Sequence, residues 1–297
     1  MPANHTFTPH AFTTEDIEYL RHGDLGLKLR IYKPNGSGSF PCVIDLHGGA
    51  WSSSTLESCK ARDEVLASKG IVAIGLDFRD GAHGYPSALA DINYAIRWAK
   101  ANAAKLNIRP DWISLSGQSS GGHLAMLVAM RPHDPRYAAI PLPAGSPNVD
   151  ATVRNIVMTW PVINPLSRYR HLLRHRAAGT IPEQYKDIAE RQTTFWKNDE
   201  NMIDGNPMLM LENGEKVVLP PTLWVQSRPD FMHDYRDDQS PVDANEPERF
   251  IANYRKAGGF IDIVDIGATA REAMSTHELV ADYVIGQTPR LSAAAAQ

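Results

Sequence analysis

The chain has 297 residues, enough for one large α/β domain or two ordinary ones, and its 43% hydrophobic and 22% charged residues are those of a globular protein. A formal net charge of −4 gives no basis for nucleic acid or an acidic membrane surface as partner, and no apolar run approaches the ~20 residues of a spanning helix. The first residues lack the basic start and apolar core of a signal peptide, and two cysteines make no disulfide framework, so reduced thiols and a cytoplasmic setting are expected.

Residues 1–16 are polar and read as an N-terminal arm ahead of a single domain spanning 17–286. Segments 17–20 and 27–32 flank Gly23-Asp24-Leu25-Gly26, the pattern of an antiparallel hairpin. An apolar strand over 41–46 runs into His47-Gly48-Gly49-Ala50-Trp51. A helix is expected over about 55–68, ending at Gly70, and then a near-continuous apolar strand over 71–76, as a parallel sheet covered on both faces requires. Leu89, Ile92, Ile96 and Ala99 recur at helical spacing. A short strand over 112–116 and a buried helix over 120–130 bracket Gly117-Gln118-Ser119-Ser120-Gly121.

The proline- and glycine-rich stretch 131–155 reads as surface loop, and 156–160 as a further strand. After Pro165 the chain turns polar and helix-leaning, an inserted cap reaching to about 216. The strand pattern resumes at 222–226. An acidic loop follows, then a helix with Pro247 in its first turn and Gly258 at its end, then a strand over 260–266. A last helix is expected over 278–285, and 287–297 reads as a flexible tail. Strands alternating with helices imply a mostly parallel sheet with helices on both faces, whose ligands sit beyond the strands' carboxyl ends.

Every motif with chemical content falls at such an end. Gly117-Gln118-Ser119-Ser120-Gly121 is a G-x-S-x-G between strand and helix, a turn too tight for flanking side chains, which holds a serine in strain over a helix N-terminus. Ser119 is therefore the expected nucleophile. His277 stands after the last strand, on what reads as a loop able to return to Ser119, and is the expected base. Asp230, four residues beyond strand 222–226, is the expected orienting acid, with Asp234, Asp237 and Asp238 as rivals on the same loop. Small residues after His47 free backbone N–H groups for an oxyanion, so Gly49, Ala50 and Ser120 are the expected donors. The His/Asp cluster lacks the paired ligand spacing of a metal site, and no metal is expected.

These residues together resemble the α/β-hydrolase superfamily, and within it the hormone-sensitive-lipase-like and feruloyl-esterase-like serine esterases. The residues carrying the likeness are His47-Gly48-Gly49-Ala50-Trp51, Asp77-Phe78-Arg79 with Tyr85-Pro86 and Asp91, Gly117 to Leu124, and His277. The resemblance implies an eight-stranded sheet, no cofactor, a Ser/Asp/His triad and a cap over the site, with Asp77, Arg79 and His123 as scaffold. The oxyanion motif departs from the family by ending in Ala-Trp, as in arylformamidase-like relatives, and Ser120 stands where alanine is commoner. The expected activity is carboxylic ester hydrolysis through an acyl-enzyme, on a small or aryl ester. An arylformamidase-type amidase and a non-catalytic ligand-binding protein on the same fold are the alternatives. Trp51, Tyr85, Trp160, Phe195 and Trp196 are the expected lining of an aromatic pocket. The basic run from Arg168 to Arg176 reads as a solvated face of a cap helix, with attraction of an anionic substrate as the alternative. No partner beyond the small-molecule ester is expected, save that a homodimer is open to the chain.

Overall fold

The computed structural model describes residues 9–294, with side chains through residue 286; residues 1–8 of the expected arm and 295–297 of the expected tail lie outside it. The chain opens with the hairpin of β1 (Phe12–His22) and β2 (Leu25–Pro34), so the first strand begins five residues ahead of the expected 17. Then come β3 (Phe40–Leu46), α1 (Lys60–Ser68), β4 (Val72–Leu76), α2 (Ser87–Ala101), α3 (Ala103–Leu106), β5 (Ile108–Gln118) and α4 (Ser120–Met130). After β6 (Ile156–Thr159) the cap contributes α5 (Pro165–Ala177), α6 (Ile188–Trp196), α7 (Asp199–Asp204) and α8 (Pro207–Glu212). The chain closes with β7 (Thr222–Arg228), α9 (Glu246–Lys256), β8 (Ile261–Gly267) and α10 (Met274–Ala294).

The eight strands form one sheet in the order β1-β2-β4-β3-β5-β6-β7-β8. β2 runs antiparallel to both its neighbours, and from β4 to β8 every pairing is parallel. Side chains alternate across such strands. Val43, Ala73, Val157 and Val225 therefore face one way and pack with Leu66 and Ala67 of α1 and Val280, Ala281 and Val284 of α10. Ile44, Ile74, Met158 and Trp224 face the other way, into the cluster containing Ile92 and Ile96 of α2, Leu124 and Leu127 of α4, and Phe250 and Tyr254 of α9. The central strands are apolar in both directions because both faces are covered. No helix among the described residues is long and apolar enough to cross a membrane.

From β3 the chain winds first toward β4 and later toward β5, so the crevice between the carboxyl ends of β3 and β5 is the topological switch point, where open α/β sheets bind ligands. The loops 47–51 and 117–121 meet there. Their closeness explains the glycines. A Cβ on Gly121 would lie 2.3 Å from the Leu46 carbonyl oxygen and 2.4 Å from that of His47. A Cβ on Gly117 would lie 2.5 Å from the Gly121 backbone. Gly121→Ala is accordingly expected to force α4 away from β3. That costs about 1–3 kcal/mol of overpacking and lowers the melting temperature by roughly 3–10 °C. An unchanged melting temperature would show that the approach is not tight.

Candidate active site

Ser119 caps α4 with φ +53° and ψ −116°, a conformation that only its surroundings hold in place. Those surroundings are specific. Its N–H donates to the Thr159 carbonyl at 3.0 Å, and its own carbonyl accepts from the N–H groups of His123 and Val162 at 3.1 Å each. The serine is thus pinned between β6 and the start of α4, with its hydroxyl free to face outward. Ser120 is the first helical residue, so its N–H has no partner within the helix.

The partner of the Ser119 hydroxyl is His233, whose Nε2 lies 2.9 Å from Oγ. On the other side of the ring, Nδ1 lies 2.8 Å from Oδ2 of Asp230. Both residues belong to the loop after β7. The Asp234 N–H donates to the Asp230 carbonyl at 3.0 Å, so the loop makes a single helical turn there, and side chains three apart share one face. Asp230 Oδ1 accepts the Met232 N–H at 2.9 Å. Its Oδ2 also accepts from the guanidinium of Arg271, whose Nε donates to Ser227 Oγ at 2.6 Å. Arg271 rests on the Trp160 ring, 4.9 Å from its centroid. With the carboxylate on Nδ1, that nitrogen carries the proton and Nε2 is left as acceptor toward the hydroxyl.

Electrostatics favour that arrangement. Burial works against charge on Asp230, but His233, Arg271 and the Met232 N–H outweigh it and hold the carboxyl below its ordinary range. For His233, burial is the largest influence and lowers the pKa. Asp230 raises it, Arg168 and Arg271 lower it again, and the net direction is down from 6.5. A lowered pKa keeps the imidazole neutral into mildly acidic solution. If His233 is the base, the acid limb of kcat/KM for an ester should have its midpoint below pH 6.5. Arg271→Gln removes a cation from beside the ring and should move that midpoint upward. A limb that stays in place, or moves down, would contradict the assigned surroundings.

His277, the base expected from sequence, is not brought to Ser119. α10 begins at Met274, so His277 sits inside the first helical turn rather than on a free loop. The face it occupies turns toward α1: its charged neighbours are Arg62, Glu272 and Asp45, and neither ring nitrogen has a hydrogen-bond partner among the described residues. Burial, then Arg62, lowers its pKa. The rival acids are each committed elsewhere. Asp234 accepts from Arg228 and Asn245, Asp237 accepts the Gln239 N–H, and Asp238 pairs with Arg174. Of these four acids, only Asp230 hydrogen-bonds an imidazole. His233 stood in the sequence three residues from Asp230, a spacing that a single helical turn makes a pair.

Gly49, Ala50 and Trp51 have φ values of +98°, +53° and +59°. This left-handed run turns the chain back on itself, and Ser52 and Ser53 both donate to the Gly49 carbonyl at 3.1 Å. A Cβ on Gly49 would fall 1.4 Å from the Ser53 carbonyl oxygen, so only glycine fits. The loop touches the serine through Gly48, whose added Cβ would be 3.5 Å from that of Ser119.

The expected aromatic pocket is differently built. Trp51, Phe195 and Trp196 are buried and face one another, with the Trp51 and Trp196 centroids 5.4 Å apart and Phe195 stacked 6.3 Å from Trp51. Tyr85 stacks on Trp196 at 5.0 Å and hydrogen-bonds through its hydroxyl to Tyr137 and Asp204. These rings are the seam between cap and sheet rather than an open lining. His123 is part of it: Trp51 Nε1 donates to its Nδ1 at 3.2 Å, and its Nε2 meets the Gly205 carbonyl at 2.8 Å. Burial lowers its pKa to about 3, so it is a neutral strut. Trp160 is buried too, but directly follows β6, next to the Thr159 carbonyl that accepts the Ser119 N–H, and lies under Arg271.

Among the described residues, Asp45, Cys59 and Asp63 bring potential metal-ligand atoms within 4.8 Å of one another. Arg62 forks onto Asp45 at 2.7 and 2.8 Å and already supplies the positive charge there. Burial pushes the Asp63 carboxyl and the Cys59 thiol up, toward their neutral forms. That donor set does not fit a resident cation.

Comparison with known proteins agrees with this architecture. Residues 29–166 match the BD-FAE family model. The chain is 37% identical over 117 residues to Esterase LipC of Mycobacterium tuberculosis, covering 38% of this chain and 28% of that protein. It is 33% identical over 123 residues to an arylesterase of Saccharolobus solfataricus, covering 41% and 40%. The alignments thus span well under half of these relatives. Among solved structures, a hyperthermophilic esterase from the archaeon Pyrobaculum calidifontis superposes with a TM-score of 0.70 at 19% identity, covering 94% of this chain and 86% of that one. Esterase B from Lactobacillus rhamnosis superposes with a TM-score of 0.74 at 18% identity, covering 97% and 89%.

Proposed function

We propose that this chain, which has the α/β-hydrolase fold and resembles serine esterases over part of its length, is a carboxylesterase acting through an acyl-enzyme on Ser119. The observation that carries the reading is the unbroken line Ser119–His233–Asp230 at the switch point of the sheet, with contacts of 2.9 and 2.8 Å. His233 Nε2 takes the hydroxyl proton as Ser119 Oγ bonds to the ester carbonyl carbon, and returns it to the leaving alcohol. Water, deprotonated by the same nitrogen, then releases the acid and regenerates Ser119. Asp230 holds the proton on Nδ1, and Arg271 holds Asp230. The N–H groups of Ser120 and of the 48–50 loop stabilise the oxyanion, Gly49 and Ala50 being the donors assigned from sequence. The relatives' names, esterase and arylesterase, favour an ester over an amide.

Turnover of p-nitrophenyl acetate and butyrate, set beside an N-formyl-arylamine, tests the reading. Ester turnover abolished by Ser119→Ala is the expected result. Formamide turnover faster than ester turnover would transfer the assignment to an amidase. Saturable ester binding without turnover would mean a ligand-binding protein. A cytoplasmic setting is part of the same proposal and accords with Cys42 and Cys59, both buried and unbridged.

A further inference from the structure

The basic run of α5 is not uniformly solvated. Arg168, in the helix's first turn beyond Pro165, is 1% exposed. Its Nε donates to Gln192 Oε1 at 3.0 Å, and its guanidinium carbon lies 4.7 Å from the Trp51 ring centroid. Its Nη2 is buried with no hydrogen-bond partner among the described residues. Among the described residues, no carboxylate forms an ion pair with it. The other deeply buried arginines are treated differently: Arg62 forks onto Asp45, and Arg249 pairs with Glu212 and Glu246. A buried guanidinium without a counter-ion is costly, and removing it from water is repaid only by an anion with good geometry.

Arg168 is also in the right place for the missing anion to be substrate. Trp51, on whose face it lies, is the residue after the proposed oxyanion loop. Asp230, His233, Tyr235 and His123 all share its electric field. Asp230, the one carboxylate acting on it among the described residues, is already held by His233 and Arg271. Burial lowers the pKa of Arg168 to about 10, which still leaves it a full cation at neutral pH. A guanidinium is matched in shape to a carboxylate.

We propose that Arg168 is the binding site for a second carboxylate on the acyl part of the substrate, so that the preferred substrates are half-esters of short dicarboxylic acids. This rests on the Ser119 esterase reading and names its substrate class. The bond changes are those of ordinary ester hydrolysis: the acyl carbon–alkoxy bond breaks, water supplies the new carboxyl oxygen, and the second carboxylate is a spectator held in place.

The test compares ethyl hydrogen succinate with ethyl 4-methylpentanoate, in which an isopropyl group replaces the carboxylate at nearly the same shape. Wild type is expected to favour the half-ester in kcat/KM by about tenfold or more, the order of one good charge-assisted contact. Arg168→Gln should collapse that ratio by at least about tenfold, and Arg168→Lys should keep part of it. A ratio that Arg168→Gln leaves unchanged overturns the proposal.

Binding is measured separately, on Ser119→Ala protein. The half-ester should raise its melting temperature more than the isosteric ester does, and the difference should vanish in Ser119→Ala/Arg168→Gln. Equal stabilisation by both esters overturns the proposal even if the arginine variant does not fold. Selective stabilisation without turnover by wild type would leave Arg168 as an anion site and remove the esterase reading instead.

Discussion

His233→Ala is expected to lower kcat/KM for p-nitrophenyl butyrate as severely as Ser119→Ala, by on the order of 10⁴- to 10⁶-fold, whereas His277→Ala should leave it within a few-fold of wild type. At 1.36 kcal/mol per tenfold, the loss corresponds to about 5–8 kcal/mol of transition-state stabilisation. The two histidines differ in every respect that matters to catalysis. His233 Nε2 is 2.9 Å from the serine hydroxyl, and its other nitrogen is held by a carboxylate. His277 is packed on the α1 face of the sheet beside the Arg62–Asp45 pair, with both nitrogens unpartnered. A serine and its base act as one unit, so losing either should cost about what losing both costs, and the Ser119→Ala/His233→Ala double variant should be little worse than either single one. Because His277 is buried, His277→Ala is compared at matched folded fraction, with melting temperature measured alongside.

Asp230→Asn is expected to lower kcat by about 10³- to 10⁴-fold with little change in KM. The substitution keeps the size of the side chain and removes its charge. An amide placed with its NH₂ toward His233 Nδ1 would favour the tautomer with the proton on Nε2, where it opposes transfer from Ser119. A neutral amide would also leave Arg271, which now shares Oδ2 with His233, without its anion. The same change, made at Asp234, Asp237 or Asp238, should have a minor effect, because those carboxylates serve Arg228, Asn245, Arg174 and a loop N–H instead. Steady-state kinetics on the four asparagine variants separate the cases. A loss at Asp234→Asn as large as at Asp230→Asn would mean that the loop is arranged differently in solution.

Much of this was legible in the chain because period and punctuation are local. The apolar runs at 41–46, 71–76 and 156–160 became β3, β4 and β6, and the helix over 120–130 appears with the bounds its glycines and apolar residues predict. The elbow around Ser119 was legible for the same reason: Gly117 and Gly121 are demanded by backbone approaches of 2.5 Å or less, and steric demands of that kind leave a mark on sequence.

What was not legible depended on where loops and helices point. His277 was placed by its position after the last strand, but the start of α10 at Met274 decides its direction, and helix boundaries are poorly marked by sequence. His233 was overlooked because its loop carries so many acidic and basic residues that no pair stands out. Only the turn closed by the Asp234 N–H selects Asp230 and His233 from among them. The aromatic residues were read as pocket lining because nothing local separates a ring facing a ligand from rings facing one another across the cap seam. Arg168 was hidden by its neighbours: Arg170, Arg174 and Arg176 all pair with groups at the surface, and the run looks uniform until burial is seen.

The most direct measurement of the central claim, that His233 activates Ser119, is the rate at which a fluorophosphonate labels the protein, with the modified residue identified by mass spectrometry. Labelling requires a nucleophilic serine and a base but no particular substrate. The expected result is stoichiometric modification of Ser119 in wild type and His277→Ala at similar rates, and labelling slowed by about a thousandfold or more in His233→Ala. Rapid labelling of His233→Ala together with slow labelling of His277→Ala would contradict it and return the base to His277.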